Sequence, residues 1–342
     1  MSENSAIRIE RWTPQSRGAA IIAAVVLAML ASGPALFSNN MIDKLTTLFI
    51  YIIMAVSWNA LAGYGGLVSV GQQAFFGLGA YAGVRMSDAG VPVYAALIMA
   101  PFLVALVSMP ISSFMLRLRT GEFAIGMWVV AELAHLLVNL DTLIQGETGT
   151  SLIALNAYDA SARHAYNYWL AFAAMTGLIG ALFALLRSPA GSAIQSIRDN
   201  EEAAASLGVR VLGTKRIIFV LAAFGAALAG ALWLSTATTF QPKAYFSVQW
   251  TAYMIFMVLV GGLGTFEGAI LGAVIFAVIE AWLGATGVWY LIGLGATALA
   301  FSLLLPRGLW GWLEGRFGLR LLPVGYQVVM DSTITGQNGS PT

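Results

Sequence analysis

The chain contains no cysteine and only two histidines. The first absence excludes disulfides, thiolate metal sites and a cysteine nucleophile, and the second argues against a histidine-based metal centre. Charge is scarce as well. Asp, Glu, Lys and Arg make up 10% of the 342 residues, against roughly 25% in a soluble domain. No Walker A motif is present to cradle nucleotide phosphates, and there is no Gly-x-Ser-x-Gly elbow or zincin helix. A net charge of +1 leaves no electrostatic footprint for nucleic acid. No cofactor or metal is expected on this chain.

What is present is apolar surface: 59% hydrophobic residues and a mean hydropathy of +0.80. A core of this size cannot hide so much from water, so the solvent must be membrane lipid. The 37 glycines suit close helix packing in a bilayer. The fold class expected is an all-α, polytopic integral membrane protein of about ten transmembrane helices, with glycine-rich discontinuous segments.

Residues 1–17 form a polar tail with Arg8, Arg11 and Arg17. The apolar run 18–37, about 20 residues, is nearer a span than the core of a cleaved signal peptide, which stays the alternative. Asp43 and Lys44 open a second run, 45–62. Residues 63–83, GYGGLVSVGQQAFFGLGAYAG, carry Gln72 and Gln73, and Gly79 and Gly83 at small-xxx-small spacing. They read as a broken or re-entrant element lining a pathway, with an ordinary span bearing a glycine seam as the alternative.

Further spans follow at 91–116, with Pro101 and Pro110 as expected kinks, and at 123–140. The latter holds Glu132 and His135, three apart on one helix face. Glu-x-x-His is a di-iron spacing, but no second such motif exists, so a structural or pathway role is expected. A polar loop, 141–167, leads to a span at 168–186. After the charged loop 187–216 come 217–237 and 250–260. The last of these is interrupted by GGLGTFEG (261–268) and resumes to 283. Gly264, Gly268 and Gly272, four apart, read as a seam on one helix face. The final span is 288–305. In the tail, 307–342, Trp310 and Trp312 are candidate interfacial anchors, and disorder is expected beyond Gly325. Acids within the spans are few: Glu132, Glu280 and Glu267.

Basic residues orient the chain. With an even number of spans, 13 of the 17 fall in the N-terminal tail, the 117–122 and 187–216 loops and the C-terminal tail, and 4 (Lys44, Arg85, Arg163, Lys243) on the other side. The positive-inside rule makes the first set, with both termini, cytoplasmic. The domain plan is therefore a tail (1–17), a transmembrane domain (18–306) with a cytoplasmic loop (187–216), and a second tail (307–342).

That loop contains the longest polar run, GSAIQSIRDNEEAAASLGVRVLG (191–213). It reads as a short helix. Asp199 caps it, and Glu202 completes a capping-box-like pair. Ala203, Ala204 and Leu207 make an apolar face, and Gly208 ends it in a left-handed conformation. Pattern alone leaves a docking surface and a solvated connector both open.

Three stretches, LAGYGGLVSVGQQAFFGLGAYAG (61–83), AIQSIRDNEEAAASLGV (193–209) and VLVGGLGTFEGAILGA (258–273), together resemble the permease subunits of branched-chain amino acid ABC importers. The likeness spans roughly 41–306, and within the family it is closer to the Liv M-type subunit than to the shorter H-type. The resemblance implies a bacterial inner-membrane permease, in a heterodimer with a homologous permease. It also implies two ATPase subunits that bind the ATP and Mg, and a periplasmic solute-binding protein. It makes 193–209 the ATPase-coupling loop, with Arg198, Asp199, Glu201, Ala203, Ala204, Leu207 and Gly208 as its contact residues. Ala203, Ala204 and Leu207 would fill a groove on the ATPase, and Arg198 and Glu201 would form rim contacts. The long outer loop departs from the family, reading GETGTSL (146–152) in place of a T-G-G-x-x-G-like run. Relatives with the same motifs handle urea, short amides and aromatic acids, so those substrates stay open. A stand-alone carrier or channel, or a membrane enzyme using Glu132 and His135, are the rival classes.

Overall fold

The computed structural model describes residues 7–10, 14–318, 321–322 and 327–330. Its helices are α1 (Pro14–Ala31), α2 (Asn39–Asn59, continued by a π turn at Ala60–Tyr64), α3 (Gln73–Asp88), α4 (Val93–Met115) and α5 (Thr120–Asn139). After the outer loop come α6 (Ala160–Leu186), α7 (Pro189–Asp199), α8 (Glu201–Ser206) and α9 (Val211–Ala237). The chain ends with α10 (Val248–Gly261), α11 (Phe266–Leu283), α12 (Val288–Leu304) and α13 (Gly308–Phe317). The strands are short: β1 (Ile7–Glu10), β2 (Thr150–Ser151), β3 (Thr239–Phe240) and β4 (Gln327–Met330).

Among the described residues, eight helical segments are long and apolar enough to cross a membrane. Of the two further elements expected from the sequence, α1 contributes a shorter apolar stretch, Gln15–Ala31, and α3, 16 residues long, falls short of a span. Burial ranks the helices. In α2 and α9, 83% and 72% of the most apolar stretch is buried within the protein, against 11% for α12 and its extension. α2 and α9 thus form the axis of the bundle. α9 lies against α3 and α4, α2 against α6 and α11, and α12 lies at the periphery.

Glycine sets two close crossings. Gly79 of α3 faces the backbone of Ala227, and Gly230 of α9 faces the carbonyl of Phe76, so neither site has room for a Cβ. Gly83 is looser: a Cβ there would meet only the side-chain tips of Leu97 at 3.3 Å and Leu234 at 3.6 Å. In the second crossing, Gly268 and Gly272 of α11 press on the backbone of Gly261 and Met257 in α10. Gly264 is not part of that seam. It lies before α11 in the connecting turn, with φ +79°, because the helix starts only after the Thr265 cap, whose side chain accepts from the Gly268 N–H.

The segment 63–83 is broken, as one of its two readings anticipates. Helix α2 ends in the π turn, residues 65–71 are irregular, and helix resumes at Gln73. The irregular backbone is mostly buried. Trp58 Nε1 donates to the Ser69 carbonyl at 2.9 Å, and the Gly71 N–H donates to Ser69 Oγ at 3.2 Å, so protein groups replace the water this backbone lacks.

Three other expectations change. The spans expected from 168 and 217 begin earlier, at Ala160 and Val211. The 141–167 loop is partly ordered, since β2 pairs antiparallel with β3. The tail is not irregular throughout beyond Gly325: β4 pairs antiparallel with β1, Ile7 opposite Met330. Residues 331–342, most of the region expected to be disordered, lie outside the described residues, as does Arg320.

Candidate functional site

The polar run folds as two helices rather than one. Ser188 caps α7 by accepting from the Gly191 N–H, with Pro189 in the first turn. Ile194 and Ile197 turn inward, and α7 runs to Asp199. Asn200 is extended, at φ −159° and ψ 106°, and caps α8 by accepting from the Ala203 N–H at 3.0 Å. This corrects the expectation for Asp199. That carboxylate is already engaged by the Arg198 guanidinium at 2.8 Å, and the chain turns one residue later. Gly208, at φ +88°, ends α8 in the left-handed conformation expected of it.

The apolar face of α8 is divided. Ala204 is buried within this chain, whereas Ala203 and Leu207 are exposed, Leu207 at 85%. Glu201 pairs with Lys215 at 2.7 Å, which ties α8 to the start of α9. Leu207 is the large apolar side chain this surface presents. At the start of α8, by Asn200 and Glu201, lies a cavity of about 440 Å³, lined also by Gly66, Arg117, Arg119, Arg198 and Lys215.

Arg198 turns inward. Its Nη1 donates to the Gly63 carbonyl at 2.9 Å, at the end of the π turn, and its stem lies over Gly66. Gly63 in turn contacts the Gly264 backbone. Asn59 binds this junction with both ends of its amide: Nδ2 donates to the Thr265 carbonyl at 2.8 Å, and Oδ1 accepts from the Gly264 N–H at 2.8 Å. The charged helix pair and the two glycine segments, far apart in sequence, therefore meet at one junction. Sequence reasoning missed Asn59. The available signal was a carboxamide inside an apolar run, which demands buried partners.

The other sequence candidates lie elsewhere. Gln73 is buried on Thr251: its N–H donates to Thr251 Oγ1 at 3.2 Å, and its Oε1 accepts from the same hydroxyl. Gln72 is buried, and neither amide atom of its side chain has a hydrogen-bond partner among the described residues. Glu132 and His135 belong to a network at the opposite end of the bundle. His135 Nδ1 is 3.4 Å from Glu132, and its Nε2 is 2.8 Å from Glu147. Glu147 also accepts from Asn139 Nδ2 at 2.7 Å and the Lys243 N–H at 3.0 Å. Burial pushes its carboxyl up, but the hydrogen bonds from Asn139, Lys243 and His135 outweigh that and hold it below the ordinary value. No group of three potential metal ligands occurs among the described residues.

Residues 40–306 match the profile of a family described as branched-chain amino acid transport system, permease component. The chain is similar to a high-affinity branched-chain amino acid transport system permease protein, LivM, of Escherichia coli. Identity is 25% over 317 residues, covering 84% of this chain and 74% of that one. The corresponding protein of Salmonella typhimurium is 25% identical over 311 residues, 83% and 73% of the two chains. Among solved structures, a chain of PsaBC from Streptococcus pneumoniae in complex with Fab aligns with 81% of this chain and 94% of its own length. The TM-score is 0.46 at 11% identity, too distant to bear on function. All three stretches that build the junction fall inside the matched region, and on that match the chain belongs to the family of permease components of branched-chain amino acid transport systems.

Proposed function

We propose that this chain is the membrane-spanning permease subunit of an ATP-driven importer for branched-chain or related amino acids. It would cross a bacterial inner membrane about ten times, as a permease domain (18–306) between cytoplasmic tails (1–17 and 307–342). A homologous permease would complete the solute path, and a periplasmic binding protein would deliver solute. Two ATPase subunits would hold the ATP and Mg and dock on α8. The supporting observation, beyond the family match, is the junction itself. The exposed α8 surface is one rigid step from Arg198, and Arg198 is one hydrogen bond from Gly63.

The chemistry follows from that placement. ATPase closure pushes on Leu207 and Ala203 from outside. Ala204, packed inside, passes the displacement to the α7–α9 framework. Arg198 then pulls on the Gly63 carbonyl where α2 leaves regular helix, and Asn59 carries the movement to the turn before α11. Packed helices and hydrogen bonds transmit such a shift because they do not deform continuously. In this scheme Arg198 is a transmission residue rather than a rim contact, and Asp199 orients its guanidinium.

The test is ATP-driven leucine uptake in liposomes carrying the chain with its co-purifying partners. Leu207→Arg should leave the chain in the membrane while removing ATPase association and uptake. Normal association and uptake by that variant would overturn the docking role of α8. Leucine movement by the purified chain alone would replace the reading with a stand-alone carrier.

A further inference from the structure

An aromatic cavity of about 400 Å³ lies far from the coupling junction, where the end of α9, the start of α10 and the last turn of α11 converge. Trp233, Trp250, Tyr253 and Glu280 line it, with Lys243 at its exposed rim. The rings form a continuous wall. Trp233 and Trp250 meet edge to face at 4.9 Å, Trp250 and Tyr253 at 6.0 Å, and Tyr51 stacks on Trp233 at 6.3 Å. Into this wall projects a carboxylate. Glu280 Oε2 accepts from the Tyr51 hydroxyl at 2.5 Å, and Tyr51 is its one donor among the described residues. The Lys243 ammonium makes no ion pair among those residues.

A partly buried carboxylate with one donor is a costly arrangement unless something completes it. The surroundings specify what that is. Aromatic faces attract cations, a carboxylate oxygen facing the cavity needs a hydrogen-bond donor, and an anion in that position would be repelled. We propose that this cavity is a binding site for a compact organic ammonium group, with Glu280 and the faces of Trp233, Trp250 and Tyr253 as its recognition elements. Lys243 at the rim suits a carboxylate at the other end of the same molecule, so a zwitterionic α-amino acid satisfies both. Tyr51 positions the Glu280 carboxylate. The ammonium site stands on this geometry alone, and only the choice of leucine as a probe rests on the proposed function.

The experiment uses the full-length chain with its co-purifying partners in lipid nanodiscs, the binding protein omitted. Saturable binding of radiolabelled 3-methylbutylamine, which is leucine without its carboxylate, is measured. Leucine should compete, and 4-methylpentanoate, which is leucine without its amino group, should not. Glu280→Gln keeps the side-chain shape and an acceptor for Tyr51, and should weaken amine binding roughly tenfold or more. Lys243→Gln, at an exposed position that does not threaten folding, should weaken competition by leucine and leave amine binding unchanged. Wild-type amine affinity in Glu280→Gln, or equal competition by 4-methylpentanoate, overturns the site. Unchanged leucine competition in Lys243→Gln overturns its two-ended form. ATP-driven leucine uptake by the same preparation separates the two readings: uptake without amine binding removes the site and keeps the function, and amine binding without uptake does the reverse.

Discussion

At the scale of single residues, Arg198 and Asn59 show how a side chain's direction can outweigh its type. Arg198 reads in sequence as one member of a charged run, and charged runs are normally solvated. Its direction is set by a neighbour: Ile197 is buried, so the next residue along α7 lies beside the bundle and can reach the Gly63 carbonyl. No local pattern marks that long-range bond. Arg198→Ala in the reconstituted transporter should keep most ATP hydrolysis while uptake falls, so solute moved per ATP drops several-fold. An unchanged ratio would show that Arg198 transmits nothing. Asn59→Leu leaves the Gly264 N–H and the Thr265 carbonyl without their buried partner, at a cost of about 2 kcal/mol or more. Thermal unfolding of the detergent-purified protein measures it.

Among the secondary elements, the glycine pairs were legible as close-packing signals, but their partners were not. Spacing gives Gly79 and Gly83 equal standing. The structure separates them, because α9 crosses at Gly79 and only leucine tips approach Gly83. Gly79→Leu should therefore destabilise the fold by about 1–3 kcal/mol or prevent folding, whereas Gly83→Ala should be tolerated. Comparing the two in a detergent-stability assay tests whether the α3–α9 crossing is the tight one. Helix ends were harder to read than helix faces. In the dipeptide Asp199–Asn200 both residues can cap, and the choice fell to Asn200 because α7 consumes Asp199 and Arg198 holds its carboxylate. Gly264 was misplaced for the related reason that a four-residue period continues through a turn as readily as through a helix.

For the whole molecule, hydropathy located the apolar elements but was a poor guide to their rank. α2 and α12 look alike in sequence, yet one is the axis of the bundle and the other its edge. Only the packing of the complete chain distinguishes them. The two ends of the bundle also differ in kind. One carries the α7–α8 junction, and the other is held by carboxylates. Asp141 accepts from the Tyr81 hydroxyl at 2.6 Å and the Leu143 N–H at 3.0 Å, with Arg85 Nε at 3.2 Å. Those hydrogen bonds, with Arg85 adding, hold its carboxyl below its ordinary value of 3.8, and Glu147 is likewise held below 4.5. A carboxyl depressed in the folded state takes up its proton first in the unfolded chain. The stabilisation is complete at neutral pH and is lost as pH falls through the ordinary carboxylate range towards the lowered folded values. Asp141→Asn should lower stability at pH 7 and flatten its dependence on acid, as read from unfolding temperature across pH 3 to about 7.

The pairing of β1 with β4 constrains more than the tails it joins. Strands in one ladder lie about 5 Å apart, so residues 7–10, before α1, and 327–330, after α13, are neighbours in space. Every way of setting these helices across a bilayer must therefore leave those two segments side by side.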